Sequence, residues 1–206
     1  MLDYLPCILI GYFLGCISPS YLFSKIKKVD LRNHGTGNLG GSNTMMVLGK
    51  SYGLIVMLFD VMKAFLAVEI CLKIFPKLMY AGIVAGTSAV LGHNFPFYLR
   101  FHGGKGLASL GGFILAESPQ QFLFLLLVCA ALTLIINYIC VLPVSASILY
   151  PFLAGLKYRS FSAFFIALLC STSVIYRHRQ NIKDAREGQA PKVRAFLRKV
   201  FFKEVI

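Results

Sequence analysis

Phe101-His102-Gly103-Gly104-Lys105-Gly106 sets three glycines and a lysine in six residues, between segments too apolar for a soluble domain. Glycines tolerate positive φ and close approach, so such a loop can turn backbone N–H groups toward an anion, and a lysine at its centre adds a point charge. Alone the stretch reads equally well as a simple turn. Between its apolar flanks it points to a phosphate held at a membrane surface.

The composition agrees. Over 206 residues, 57% are hydrophobic and 14% charged, with a mean hydropathy of +0.72, whereas soluble domains carry roughly a quarter charged residues. The reading is one integral membrane domain over residues 1–206, all-α, a polytopic helix bundle. The net charge of +13 does not indicate nucleic acid, because its carriers lie in the gaps between apolar runs and in the tail. That is the pattern of cytoplasmic loops facing anionic lipid. The N-terminus lacks a basic region and an early small-residue cleavage site, so the first apolar run is expected to stay as a spanning helix. Six cysteines show no CxxC and no histidine at ligand spacing; they read as reduced, buried hydrophobes.

Apolar runs predict helices over Leu2–Phe23, Gly53–Phe75, Met79–Phe97, Leu107–Glu117, Gln121–Ile139, Val144–Leu156 and Phe161–Tyr176. A bilayer crossing needs about 20 residues. The fourth and sixth runs fall short, so seven spans is the leading reading and five the alternative. With the N-terminus outside and the C-terminus cytoplasmic, Lys25, Lys27, Lys28, Arg32, Lys50, Arg100, Lys105 and the basic tail from Arg177 to Lys203 fall inside, against Lys73, Lys77, Lys157 and Arg159 outside. The excess supports that orientation but not the number of spans. Gly11/Gly15 and Gly82/Gly86 form GxxxG pairs, expected to pack spans of the same chain closely. Asp60 and Lys63 share one face of the second span, as an ion pair or as a substrate contact near its cytoplasmic end.

Three polar patches fall on the expected cytoplasmic side. The first runs from Asp30 to Asn43 and holds Arg32, Thr36 and Asn38 among many glycines; a plain connection does not need so many hydrogen-bonding side chains, although glycine and asparagine also form turns. The second runs from Gly92-His93-Asn94-Phe95-Pro96 to Gly106. It is not a Walker A loop, because Leu99 and Gly106 stand where that pattern needs a glycine and a hydroxyl, which disfavours ATP hydrolysis. The third is Arg177-His178-Arg179-Gln180-Asn181. A basic flank after a last span explains the arginines. His178 and Asn181, spaced i, i+3, are surplus to that reading and share one helix face. No Gly-x-Ser-x-Gly elbow occurs, no histidine has an aspartate five positions on, and the few, scattered acids do not suit a metal.

At these patches the chain resembles the PlsY family of acyl-phosphate:glycerol-3-phosphate acyltransferases. The resemblance rests on Gly11 to Gly15, Lys25, Asp30-Leu31-Arg32, Gly37-Asn38-Leu39-Gly40, Leu48-Gly49-Lys50, Asp60 with Lys63, Gly92-His93 with Phe95-Pro96, Gly103-Gly104-Lys105-Gly106, and Arg177-His178-Arg179 with Asn181. It implies a seven-span bundle in the bacterial cytoplasmic membrane that makes lysophosphatidate, the first step of phospholipid synthesis. Thr36, Asn38, Lys105, His178 and Asn181 are then expected to carry catalysis. Lys25, Arg32, Gly103, Gly104, Lys105, Gly106 and Arg179 are expected to bind substrate phosphate. No cofactor or metal is implied. The partners are acyl phosphate, glycerol-3-phosphate, membrane lipids and a soluble enzyme that makes the acyl phosphate. An acyl phosphate already carries a good leaving group, so positioning and charge stabilisation suffice without a covalent nucleophile.

The chain departs from the family pattern at four places. Thr36 replaces a serine, Met46 stands where an arginine is expected, Cys140 where Tyr-Val-Ser ends in serine, and Ala190 where Gly-Thr-Glu-Pro-Lys has glutamate. Loss of a charged phosphate contact costs on the order of 1.5 to 3 kcal/mol, with Arg32 or Arg100 as compensating charges. An active acyltransferase and a non-catalytic or repurposed relative that binds a phosphorylated lipid or small molecule are the two readings this leaves.

Overall fold

In a computed structural model, residues 2–195 are described, and they form helices joined by short loops with one isolated β-bridge, Tyr138 to Lys192. In chain order the helices are α1 (Leu5–Cys16), α2 (Pro19–Ile26), α3 (Gly41–Leu48), α4 (Lys50–Ile74), α5 (Ala81–Asn94), α6 (Leu107–Glu117), α7 (Pro119–Ile136), α8 (Val141–Tyr158), α9 (Phe161–Arg177) and α10 (Arg179–Arg186). Arg198, Lys199 and Lys203 of the basic tail lie outside the described residues.

Small residues decide the centre of the bundle. α5, rich in Gly, Ala, Ser and Thr, is buried along nearly its whole length. A Cβ on Gly11 or Gly15 would collide with the carbonyl of Ala85 or Ala89, one on Gly86 with the Phe113 ring, and one on Gly92 with the Tyr12 carbonyl. The backbones of α1 and α5 thus touch because neither carries bulk there, the close packing expected of the GxxxG pairs. Around this axis a core of Val68, Ile83, Leu110, Phe113, Tyr150 and Val174 joins α4, α5, α6, α8 and α9. Leu58, Phe124, Leu127, Phe152 and Phe165 instead point outward, fully apolar and exposed. A bundle with polar groups inside and large apolar side chains outside suits lipid as its solvent.

Polar caps set the helix ends. Ser18, Ser118 and Ser160 each accept an N–H of the following turn, and Pro19 and Pro119 occupy the first turn, where a missing N–H costs nothing. Leu2–Ile26, Pro119–Ile136 and Val141–Tyr158 are long and apolar enough to cross a bilayer, and the pair α9 and α10, bent by 56°, adds a fourth if taken as one span. The sixth run is longer than expected from sequence, because Pro143 sits in the first turn of α8 and not before it. α6 remains short at 11 residues. The first run breaks after Cys16, and α3 was not foreseen.

At the end of α6 away from Lys105, Glu117 accepts from Lys157 Nζ (2.6 Å) and Tyr158 Oη (2.7 Å), and Tyr80 meets Ser160 (2.8 Å). This cluster ties α6 and α8 together there. The chemistry collects at the other end.

Candidate active site

The glycine loop between α5 and α6 is held from both sides. The N–H groups of Gly103 and Gly104 donate to the carbonyls of Asn94 (3.1 Å) and His93 (3.0 Å). Their own carbonyls accept from Arg177 Nη2 (2.6 Å) and Nε (2.9 Å), with the guanidinium 5.9 Å from the Phe95 ring centroid. A Cβ on Gly103 would strike the His93 carbonyl, and one on Gly104 the His93 imidazole. Glycine is therefore required here by packing, and two of the amides expected to face an anion are already spent within the protein. Gly106, at φ 88°, caps α6, and a Cβ there would lie only 2.6 Å from Asn94 Oδ1. The next N–H groups at the start of α6 have no intrahelical partner, the usual condition of a helix N-terminus.

Lys105 leaves this clamp toward the third patch, where its Nζ donates to Asn181 Oδ1 at 2.5 Å. Burial pushes the Lys105 amine below its ordinary range, and the Arg177 charge adds to the effect. His178 lies at the junction of α9 and α10, buried, with Nδ1 2.9 Å from the Val174 carbonyl. A carbonyl only accepts, so Nδ1 carries the proton and Nε2 keeps its lone pair. Burial holds this imidazole down at about 4, with Lys105 and Arg177 lowering it further. His178 is thus a neutral imidazole with a free basic nitrogen, beside a lysine and an asparagine.

The first patch is organised by Asn43, which sequence reading did not single out as a site residue. Its buried amide donates to the carbonyls of Leu31 (2.9 Å) and His34 (3.1 Å) and accepts from the Thr36 N–H (2.7 Å). Gly35 and Gly37 adopt positive φ to allow this turn. The Thr36 side chain remains exposed, and Asn38 Oδ1 is buried without a hydrogen-bond partner. The patch reaches the second one through a buried cluster of Leu31, Leu39 and Leu99.

The expected phosphate ligands separate here. Lys105 sits at the meeting of the second and third patches. Arg32 is paired with Asp30 at 2.7 Å, a contact that holds the Asp30 carboxyl down at about 2. Arg179 turns back on Tyr176, donating to its carbonyl at 3.1 Å, and Lys25 lies over the Tyr21 ring. Arg177, a member of the third patch, grips the loop more than seventy residues away in sequence. Met46 is exposed on α3, and Cys140 is the one cysteine of the six that is not fully buried.

Beside Lys105 the surroundings become apolar at once. A cavity of about 220 Å³ is lined by Leu107, Ala108, Gly111, Ile114, Leu125 and Leu142, from α6, α7 and α8. Val61 of α4 also lines it, and Leu107 is two positions from the lysine. Cationic and polar groups at the N-terminus of α6, with an apolar cavity lined by the helix that starts there, are the combination that suits a molecule with a phosphate head and an apolar tail.

Comparison with known proteins narrows this class. Residues 5–188 match the family described as glycerol-3-phosphate acyltransferase. The glycerol-3-phosphate acyltransferase of Aquifex aeolicus is 36% identical over 185 residues, covering 88% of this chain and 95% of that protein. The enzyme of the same name from Pseudothermotoga lettingae is 37% identical, covering 88% and 90%. The crystal structure of PlsY, an integral membrane glycerol 3-phosphate acyltransferase, in its glycerol 3-phosphate form superposes with a TM-score of 0.82 at 33% identity, covering 92% of this chain and 95% of that one. Its lysophosphatidic acid form gives 0.79 at 32% identity. The chain belongs to the glycerol-3-phosphate acyltransferase family.

Proposed function

We infer that this bundle transfers an acyl group from an acyl phosphate to a hydroxyl of glycerol-3-phosphate, giving lysophosphatidate and inorganic phosphate. The observation that carries the reading is the junction of Lys105, Asn181 and His178 beside an apolar cavity. The hydroxyl oxygen bonds to the acyl carbon, the acyl–phosphate C–O bond breaks, and phosphate leaves. His178 Nε2 takes the hydroxyl proton. Lys105, held by Asn181, offers its remaining N–H donors to phosphate oxygens, where charge-assisted bonds are strong. Thr36 and Asn38 supply further polar contacts from the first patch, the exposed Lys25, Arg32 and Arg179 guide anions toward the site, and the cavity takes the acyl chain.

The same reading places seven spans in the bacterial cytoplasmic membrane, N-terminus outside and C-terminus inside, as one domain. A soluble enzyme would then deliver the acyl phosphate at the cytoplasmic face. The test is transfer by the purified protein in liposomes, with synthetic acyl phosphate and radiolabelled glycerol-3-phosphate. Labelled lysophosphatidate with equimolar phosphate release is expected. A folded protein that yields neither would end this reading and leave the binder of phosphorylated lipid.

A further inference from the structure

We propose that Asp60, Lys63 and His93 are positioning residues that set the register of the glycine loop, and with it the reach of Lys105; the proposal rests on the acyltransfer reading above. Charges within a span are expensive, and a lone ion pair would offset that only in part. The observed geometry does more than neutralise. Lys63 Nζ lies 2.7 Å from Asp60 Oδ1, 2.7 Å from the Ile17 carbonyl and 2.9 Å from His93 Nδ1. All three ammonium protons have acceptors, and all three side chains are buried. Ile17 is the C-cap of α1, so one nitrogen ties the break between α1 and α2 to α4 and to the end of α5.

The consequence for the loop runs through His93. Nδ1 of His93 faces both Lys63 Nζ at 2.9 Å and Asp60 Oδ1 at 3.3 Å; the ammonium can only donate, so in the shorter of these contacts Nδ1 accepts and the ring proton belongs to Nε2. This fixes both the tautomer and the ring plane, as an outer hydrogen bond does for a functional histidine. The ring edge carrying Nε2 lies directly under Gly104, and the backbone of His93 and Asn94 takes the N–H groups of Gly104 and Gly103. Arg177 closes the clamp from the other side. The next residue is Lys105. An ion pair kept only for stability would not need to end on the imidazole that underlies the loop.

The experiment separates stability from positioning. Asp60→Leu, Lys63→Met and the double variant are compared with wild type for melting temperature in detergent, kcat/KM for acyl transfer, and hydrogen exchange of the amides over residues 101–107. Each single variant leaves a buried unpaired charge and should lose both stability and activity. The double variant should recover the wild-type melting temperature, yet stay about ten- to a hundredfold down in kcat/KM, because the loop has lost its fixed support. Its loop amides should exchange faster than wild type. In a Lys105→Ala background the double change should cost no further activity.

Recovery of kcat/KM together with stability, or unchanged loop exchange, would overturn the proposal. Should the double variant not fold, His93→Asn serves instead. It keeps an acceptor for Lys63 but removes the ring beneath Gly104, so faster loop exchange and reduced kcat/KM at near-wild-type stability are expected, and wild-type behaviour would refute the role. If the wild type itself transfers no acyl group, the acyltransfer reading fails, and the exchange measurement still decides whether the triad holds the loop.

Discussion

His178 should stay neutral far below the pH at which a free histidine charges. Its ordinary value is 6.5, and burial holds it at about 4 in the fold. That difference of about 2.5 units corresponds to roughly 3 kcal/mol favouring the neutral form. The sign follows from proton binding: between pH 6.5 and 4 the unfolded chain binds a proton at this site and the folded chain does not, so folding stability falls as pH drops through that window. It is fully present above pH 6.5. An unperturbed histidine would be about 90% protonated at pH 5.5, whereas His178 would be only about 3% protonated, so the base role proposed for it would survive mild acid. The acceptor's own phosphate titrates near pH 6, so a pH–rate curve alone is ambiguous. The decisive assay is nitrogen-15 NMR of histidine-labelled protein in detergent, with His178 assigned by comparison to His178→Asn. A neutral Nδ1–H imidazole persisting to about pH 5 is expected. A resonance titrating near 6.5 would refute the argument from burial and remove the proton-acceptor assignment in its present form.

Further outcomes follow from named contacts. Arg177→Lys trades two directed bonds to the Gly103 and Gly104 carbonyls for a single point charge; it should cost about 1 to 2 kcal/mol of stability by thermal melting and lower kcat/KM. Asn181→Ala removes the acceptor of Lys105 Nζ and should reduce activity in the liposome assay while membrane insertion, set by the surviving basic flank, is unchanged. Glu117→Ala strands Lys157 and Tyr158; because Lys157 is about a third exposed, the loss is discounted to about 2 kcal/mol. Its effect on kcat/KM at the permissive temperature should be small, since Glu117 lies about 16 Å along α6 from the loop. Met46→Arg should lower KM for one phosphorylated substrate, with a gain that shrinks as salt rises; an unchanged KM at low salt would show that the exposed face of α3 does not reach substrate.

The sequence made the helical bundle and its polar end legible because both signals are local. Apolar runs, GxxxG pairs and dense polar patches are all written within a few residues of one another. The unread part depended on contacts between distant residues. A glycine-rich loop looks the same whether its amides wait for an anion or its α-carbons make room for a neighbour. At Gly103 and Gly104 the neighbour is His93, ten and eleven positions earlier. Arg177 could not be told from a basic flank until its guanidinium met two carbonyls of that loop. Asn43 sat in plain view inside the first patch, yet only the turn it closes shows why an asparagine is needed. α3 went unforeseen because Gly41–Leu48 opens with glycine, serine and asparagine, which locally favour a turn.

The departures from the family pattern acquire meaning from the same geometry. Cys140 and Ala190 are fifty residues apart in sequence, but the segments that carry them lie side by side. Ile139 N–H donates to the Pro191 carbonyl (3.4 Å), Val193 N–H to the Asn137 carbonyl (3.2 Å), and Arg194 N–H to Asn137 Oδ1 (2.9 Å). Ala190 is buried there, its N–H given to the Asp184 carbonyl at 3.1 Å. A glutamate in that place would need a partner for its charge, and an alanine needs none. Most of the docking is made by main-chain groups, so it survives a change of side chain at both positions. The segment around Ala190 therefore keeps its contact with the start of α8, and of the two changed positions Cys140 is the one that lies close enough to Lys105 to feel its charge. Lys105 and Asn181 do not depend on either position for their own bond. Alanine and cysteine in place of the expected glutamate and serine thus leave the proposed constellation of Lys105, Asn181 and His178 intact.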